Sequence, residues 1–148
     1  MAEFRETIDI ASPIAGVWDV LTDIGTISAW NPGVKQSHQT TSGPVANGAC
    51  RHCNLGGKNY LEEEVVKFEP PTGITFRITA TNLPFDTADI RFRLVSNGDA
   101  TVIVSPVYQL KFGIVGKIPD TLLIRATYRK GMRALLKGLN QHVESAAT

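Results

Sequence analysis

The feature that most constrains this chain is a long amphipathic segment near its end, from Ile118 to Ser145. Pro119 suits a first helical turn, because its missing N–H would be unpaired there in any case. Apolar residues then recur at helical spacing and form one stripe, which consists of Ile124, Tyr128, Met132, Leu135, Leu136, Leu139 and Val143. At about 1.5 Å per residue, such a helix is roughly 40 Å long. The preceding chain must therefore supply an apolar surface of matching length.

That preceding chain predicts a strand, two short helices and about six further strands. The segment Phe4–Ile10 alternates as a strand, Ser12 and Pro13 suit a helix start, and a second short helical segment spans Asp23–Ser28. Alternation and turn residues predict strands over 34–39, 49–55, 60–68, 74–81, 88–94 and 102–110. Pro106 lies inside the last of these, which indicates an edge position or a bulge.

Short turns join antiparallel strands, and the long helix is the one long element available to cover the apolar face of the resulting sheet. We therefore predict an α+β fold. In it, a curved antiparallel sheet of six to seven strands wraps around one long C-terminal helix, with two short helices after the first strand.

Size and composition favour one globular domain over residues 1–148. The net charge is +1, so no strong field attracts nucleic acid or an anionic membrane. No apolar run approaches the roughly 20 residues that a membrane span needs. The first residues lack the basic and apolar regions of a signal peptide, so we expect a cytoplasmic protein with reduced cysteines, as a monomer or homodimer.

Five motifs are spread over nearly the whole chain: I-x-I-x-S-P-x-x-x-V-W-x-V-L-T-D (8–23), W-N-P-G-V (30–34), G-x-x-R-H-C-x-L (48–55), E-E-V-V-K-F-E-P-P (63–71) and F-G-x-x-G (112–116). Together with the order of elements, they resemble the START-related helix-grip superfamily (SRPBCC), in particular the branch labelled polyketide cyclase/dehydrase. The resemblance implies a deep, mostly apolar cavity between helix and sheet. The superfamily includes polyketide cyclases, lipid-transfer domains and the birch-pollen allergen, so the resemblance leaves the function open.

The segment Cys50–Cys53 spells C-R-H-C, a spacing used by metal and redox motifs. Here it lies on a predicted strand, where residues three apart point to opposite faces with Cα atoms about 10 Å apart. That distance is too long for a disulfide, and the chain has no second cysteine pair. We therefore expect no metal and no cofactor.

A polar pair on the neighbouring predicted hairpin is a better site candidate. If Gly56-Gly57 is a two-residue turn, Arg51 pairs with Glu62 on the solvent face. By alternation, His52 and Glu63 then point toward the helix. There they would orient a polar ligand group or act as acid and base, or they would form a buried pair that only fixes the sheet register. A one-residue slip in the turn would change this orientation.

The other candidate ligand-binding residues have equally plain structural alternatives. Arg125 falls inside the apolar stripe, where it meets a ligand anion or Glu63, or else extends to water. Tyr108 and Tyr128 combine an apolar ring with a hydroxyl that can fix one polar ligand atom, and both also suit an ordinary core. The candidates that line a cavity if one exists, and are otherwise core, are Phe76, Phe92 and Met132.

Three functions are compatible with these residues. The first is binding or transport of a small hydrophobic molecule such as a lipid, an aromatic or a polyketide-like compound. The second is a polyketide aromatase/cyclase in which His52, Glu63 or a tyrosine moves protons, and the third is an accessory interaction module without a ligand. We place binding ahead of catalysis, because the sequence has no nucleophile–base–orienter set and no phosphate loop. We expect 135–143 to pack on the sheet and 122–132 to border the cavity.

Overall fold

The computed structural model describes residues 1–111 and 118–146, and gives the side chains of all of these except 118–121. The F-G-x-x-G motif lies outside the described residues. The helices are α1 (Ile14–Thr22), a 3₁₀ helix (Ile24–Ala29) and α2 (Ile118–Ala146). The strands are β1 (Ala2–Glu3), β2 (Glu6–Ile10), β3 (Gln36–Gln39), β4 (Cys50–Gly56), β5 (Asn59–Glu69), β6 (Gly73–Thr81), β7 (Phe85–Asn97) and β8 (Asp99–Leu110).

The described strands form one antiparallel sheet in the order β1-β8-β7-β6-β5-β4-β3, and β2 also pairs with β8. This confirms the predicted α+β helix-grip fold, with the two short helices after the first strands. The described residues contain eight strands and not six or seven, because β1 precedes the predicted first strand, which corresponds to β2.

The break between β1 and β2 has a local cause in Pro106. The pairs Glu3↔Val107 and Glu6↔Val104 continue one register, in which Phe4 lies opposite Pro106. Phe4 donates its backbone N–H to the Pro106 carbonyl at 3.3 Å, but proline has no N–H to return. The ladder of hydrogen bonds is therefore interrupted at Phe4. This interruption accommodates Pro106 inside the sheet, without the edge position or the bulge that we expected.

The two halves of α2 differ in their packing. In the second half, the predicted stripe residues are buried against the sheet and α1: Leu135, Leu136, Leu139 and Val143. In the first half, Leu122 and Leu123 are 64% and 65% exposed. Gly138 lies so close to the Trp30 carbonyl oxygen that an added Cβ would come within 1.9 Å of it, so only glycine allows this approach. Within the described residues, no helix combines the length and the hydrophobicity needed to cross a membrane.

The β4–β5 hairpin differs by one residue from its predicted register. Gly56 pairs with Asn59, so the turn is at Gly57-Lys58, and a bulge between Asn54 and Gly56 shifts the remaining pairs. Gly57 has a φ of 58°, which suits glycine in a tight turn. As a result Arg51 lies opposite Glu63, and His52 lies opposite Glu62. The predicted pairing of Arg51 with Glu62 is wrong.

Candidate ligand-binding site

A buried ion pair occupies the inner face of the β4–β5 hairpin. Arg51 and Glu63 are each 3% exposed, and Arg51 Nε donates to Glu63 Oε1 at 3.0 Å. Arg51 Nη1 donates to the carbonyl of Ile24 at 3.2 Å, and the guanidinium carbon lies 4.0 Å from the centre of the Phe76 ring. These contacts from three sides fix the guanidinium, so the charge is both desolvated and held in position.

Cys53 lies beside this pair and adds a weak hydrogen bond. Its Sγ donates to Glu63 Oε1 at 3.8 Å. Burial, followed by the negative charge of Glu63, raises the pKa of the Cys53 thiol to about 12. Cys50 is half-buried, as expected for a residue on the opposite face of the strand. Within the described residues, no group of three or more histidine, cysteine or acidic side chains is arranged to hold a metal ion.

His52 lies on the outer face of the sheet and not in the interior, so the prediction that His52 and Glu63 point together toward the helix is wrong. Its Nδ1 is 2.6 Å from Glu62 Oε1, and both side chains are about one third exposed. The ring stacks on Tyr60 with centroids 6.0 Å apart and also faces His38. The one-residue change in register separates His52 from Glu63, because neighbouring positions on a strand face opposite sides.

Four aromatic rings fill the space between the first half of α2 and the sheet. Tyr128 of α2 lies 5.2 Å from Tyr108 of β8, 5.2 Å from Phe85 of β7 and 5.3 Å from Phe4, measured between ring centroids. Phe4 and Phe85 each also contact Tyr108 edge-on. We call these four rings the aromatic cluster. Each ring comes from a different part of the chain, and α2 supplies the one helical member.

The Tyr128 hydroxyl is buried and has no hydrogen-bond partner among the described residues. Burial raises the pKa of Tyr128, and the negative charge of Glu63 adds to the increase. The hydroxyl therefore stays protonated at neutral pH and can donate a hydrogen bond.

The remaining candidate residues divide between the interior and the surface. Phe76 and Phe92 are buried and pack edge-to-face with centroids 6.1 Å apart, and Met132 is buried on α2. Arg125 is exposed, and its Nη2 donates to the Glu3 carbonyl at 3.2 Å. Arg125 therefore lies at the surface, in agreement with the alternative that it extends to water, and it does not contact Glu63.

Arginines of α2 hold its first half to the N-terminal strands. Arg129 Nε donates to Glu6 Oε2 at 3.1 Å, and Arg133 Nε donates to Glu6 Oε1. Burial opposes ionisation of Glu6, but the hydrogen bonds from Arg133 and Arg129 outweigh it and lower the pKa of this carboxyl. With Arg125, these contacts form a polar flank along one side of the helix.

Three pockets lined by described residues have volumes of about 620, 540 and 380 Å³, and each of them is an open groove at the surface. None of the three is lined by a residue of the aromatic cluster. The deep cavity that the resemblance implies is therefore not among them. The aromatic cluster lies between the first half of α2 and the sheet, which is where the resemblance places a cavity.

Three interior residues were missed as site candidates: Arg51, Phe4 and Phe85. The sequence does contain a signal for Arg51. It occupies the same alternate positions of the strand as the apolar residues Ala49, Cys53 and Leu55, which indicates that it shares their inner face. Phe4 and Phe85 carry no comparable local signal. They reach Tyr128 through the sheet topology, which places β1, β7 and β8 next to one another.

A long C-terminal helix packed in a curved antiparallel sheet defines a helix-grip protein. The chain belongs to the family described as polyketide cyclase / dehydrase and lipid transport, which it matches over residues 1–144. Among curated protein sequences, none matches the chain.

Several solved structures share this fold. The Zhui aromatase/cyclase from Streptomyces sp. R1128 is 14% identical, with 99% of this chain and 96% of that chain covered and a TM-score of 0.83. A START superfamily protein from Mycobacterium smegmatis is 15% identical, with 97% and 98% covered and a TM-score of 0.75. Major latex-like protein 151 from Panax ginseng is 14% identical, with 95% and 96% covered and a TM-score of 0.72. At these identities the likeness shows the fold alone.

Proposed function

We propose that the protein binds a small, mostly apolar molecule that carries one hydroxyl or carbonyl group, between the first half of α2 and the sheet. The observation that carries this proposal is the buried Tyr128 hydroxyl without a partner among the described residues. A buried hydroxyl that makes no hydrogen bond costs about 1–3 kcal/mol. Phenylalanine would fill the same space without that cost. An oxygen atom of a ligand would remove it by accepting the hydrogen bond.

The ion pair supports a preference for a ligand hydroxyl. Arg51 and Cys53 both donate to Oε1 of Glu63, and no described residue donates to Oε2. A ligand hydroxyl in this region would accept from Tyr128 and donate to the carboxylate. Arg51 would keep that carboxylate charged and in place, since its own position is fixed by the Ile24 carbonyl and the Phe76 ring.

Access would come from movement of the first half of α2. That half is held by Met132, by the ring of Tyr128 and by hydrogen bonds of Arg125, Arg129 and Arg133, three side chains that are themselves largely exposed or half-buried. Exposed pairs of this kind contribute about 0–1 kcal/mol each. The second half is held by buried leucines, each of which contributes about 1.5–3 kcal/mol. A ligand that parts the rings of the aromatic cluster would therefore displace the first half and leave the second half seated.

Native mass spectrometry of the purified protein tests this proposal. We expect a bound small molecule of low polarity that is released on unfolding, and a lower bound fraction in Tyr128→Phe. Tyr60→Phe is the matched control, because it removes the same hydroxyl from the outer face of the sheet. Protein that carries no organic molecule, and gains none when incubated with 2-naphthol, would refute the proposal.

A second candidate function is an aromatase/cyclase-type reaction, favoured by the same buried charges. In an intramolecular aldol condensation a C–C bond forms and water is released, while negative charge develops on a carbonyl oxygen. The Arg51 guanidinium and the Tyr128 hydroxyl would stabilise that oxygen, and Glu63 would accept the proton from carbon. His52 has no part in this version, because it lies on the outer face.

Cyclisation of heptane-2,6-dione, followed by NMR, separates catalysis from binding. The enzyme hypothesis predicts acceleration over buffer that Glu63→Gln reduces at least tenfold and His52→Ala leaves unchanged. The binding hypothesis predicts no acceleration by the wild-type protein, although a ligand is bound.

A further inference from the structure

A second candidate site lies at the other half of α2, away from the aromatic cluster. It is a groove of about 620 Å³ between the segment 28–35 and α2, where Ala134, Lys137, Gly138 and Gln141 form the helical wall. We call it the lysine groove. None of its lining residues belongs to the interior site described above.

Local hydrogen bonds give the groove a defined shape. The Asn31 N–H donates to the Ile27 carbonyl at 2.8 Å, and Gly33 N–H donates to Asn31 Oδ1 at 3.0 Å. The Lys35 N–H donates to the Asn54 carbonyl at 2.7 Å, which ties the end of the segment to β4. On the opposite wall, the close approach of Gly138 to the Trp30 carbonyl sets the spacing between segment and helix. The two walls are therefore held in register by backbone contacts.

The charges in the groove are all positive. Lys35 lies on one wall and Lys137 on the other, and no lining residue is acidic. Neither lysine makes an ion pair with any residue in the described part of the chain. The whole chain carries a net charge of only +1, so this pair of unneutralised charges is a local feature. The stem of Lys35 lies beside Gly56 of β4, and Lys137 lines the helical wall, so the groove has a positive side chain on each wall and none that is negative. Such a charge distribution favours an anion.

The groove also offers apolar surface and neutral polar groups. Its apolar lining comes mainly from Ala29, Pro32 and Ala134, while Trp30 and Val34 border it as largely buried side chains. The Asn31 and Gln141 side chains add amide groups that can donate hydrogen bonds. A bare inorganic ion would use the lysines and leave the apolar lining exposed to water, so the lining favours an anion attached to an apolar group.

We propose that the lysine groove binds a small organic oxyanion, a phosphate or carboxylate attached to an apolar group, independently of the interior ligand. The oxyanion lies between Lys35 and Lys137, and the apolar group lies against Trp30 and Pro32. A neighbouring groove of about 540 Å³ shares Ser28 and Lys35, so a longer ligand can extend toward the outer face of β3 and β4.

NMR titration of ¹⁵N-labelled protein tests this site with defined molecules. Phenyl phosphate, benzoate, inorganic phosphate and benzyl alcohol are added separately, and the Trp30 indole N–H and the Gly138 amide report on the two walls. We expect saturable shifts of both signals with phenyl phosphate or benzoate; the tighter of the two identifies the oxyanion. Inorganic phosphate should bind at least fivefold more weakly than phenyl phosphate, and benzyl alcohol at least tenfold more weakly.

Substitutions on α2 provide the matched controls. Lys137→Gln should raise the Kd of phenyl phosphate at least fivefold. Lys130→Gln, which makes the same change two turns earlier at a residue outside the groove, should alter it less than twofold. The proposal would be overturned if both substitutions weakened the binding of phenyl phosphate equally, or if benzyl alcohol bound as tightly as phenyl phosphate. It would also be overturned if the chemical-shift changes were spread over residues near other lysines. Binding of 2-naphthol should be unchanged in Lys137→Gln, so a failure here is distinct from a failure of the interior site.

Discussion

Replacing Arg51 with methionine tests whether the interior ion pair is as desolvated as the structure indicates. The substitution removes the partner of a carboxylate that is 3% exposed and leaves it with one weak contact, the Cys53 Sγ at 3.8 Å. Breaking a buried pair in this way costs about 3–5 kcal/mol. For a chain of this size that loss lowers the Tm by about 6–20 °C.

Glu63→Gln should cost less, about 1–3 kcal/mol. Glutamine keeps an acceptor oxygen for Arg51 Nε, and the guanidinium retains the Ile24 carbonyl and the Phe76 ring. The double variant Arg51→Met/Glu63→Leu removes both charges and fills the space with apolar atoms. Its stability should return to within about 1 kcal/mol of the wild type, or exceed it.

Urea unfolding followed by circular dichroism measures all three free energies of unfolding. The order expected is Arg51→Met least stable, then Glu63→Gln, then the double variant. Additive losses in the double variant, or a loss below about 1 kcal/mol in Arg51→Met, would show that the pair is solvated. Either result would refute the assignment of Glu63 as a charged group held in the interior.

Three further predictions follow from individual contacts. His52→Ala should change the free energy of unfolding by less than about 1 kcal/mol in urea, because its pair with Glu62 is partly exposed; a larger loss would place it in the core. Gly138→Ala should destabilise by at least about 1–3 kcal/mol, since a Cβ would collide with a backbone carbonyl. At Gly131 an added Cβ meets no atom within 4 Å, so Gly131→Ala should instead stabilise the protein by up to about 1 kcal/mol in the same measurement. Equal effects of Gly131→Ala and Gly138→Ala would contradict the close contact between Gly138 and Trp30. At pH 8 a thiol reagent should modify Cys50 but leave Cys53 unmodified until the protein unfolds. The pKa of Cys53 is about 12, so very little of its thiol is ionised at pH 8. Rapid reaction of both cysteines would show an open interior.

The long helix and the sheet were predictable because their signals are local. The apolar stripe of α2 repeats at helical spacing, and its second half is buried as the stripe requires. The alternation in β6, β7 and β8 similarly records which face of each strand meets the core. Both patterns reflect burial, which the sequence encodes residue by residue.

The orientation of the candidate site was not predictable in the same way. Two consecutive glycines, Gly56 and Gly57, allow two turn positions, and three consecutive glutamates, 62–64, give β5 no polar alternation to choose between them. The bulge between Asn54 and Gly56 determines the register of β4 and β5, in which Arg51 lies opposite Glu63. The aromatic cluster depends on contacts between α2, β7, β8 and Phe4, and these arise from topology and not from local pattern.

We propose that the protein leaves the Tyr128 hydroxyl unpartnered because a ligand oxygen bonds to it. The direct test is a double-mutant cycle by calorimetry, in which wild type and Tyr128→Phe each bind 2-naphthol and naphthalene. We predict that 2-naphthol loses about 1 kcal/mol, roughly fivefold in Kd, in Tyr128→Phe, while naphthalene binds both proteins equally. Equal losses for the two ligands, and therefore no coupling between the two hydroxyls, would contradict the claim.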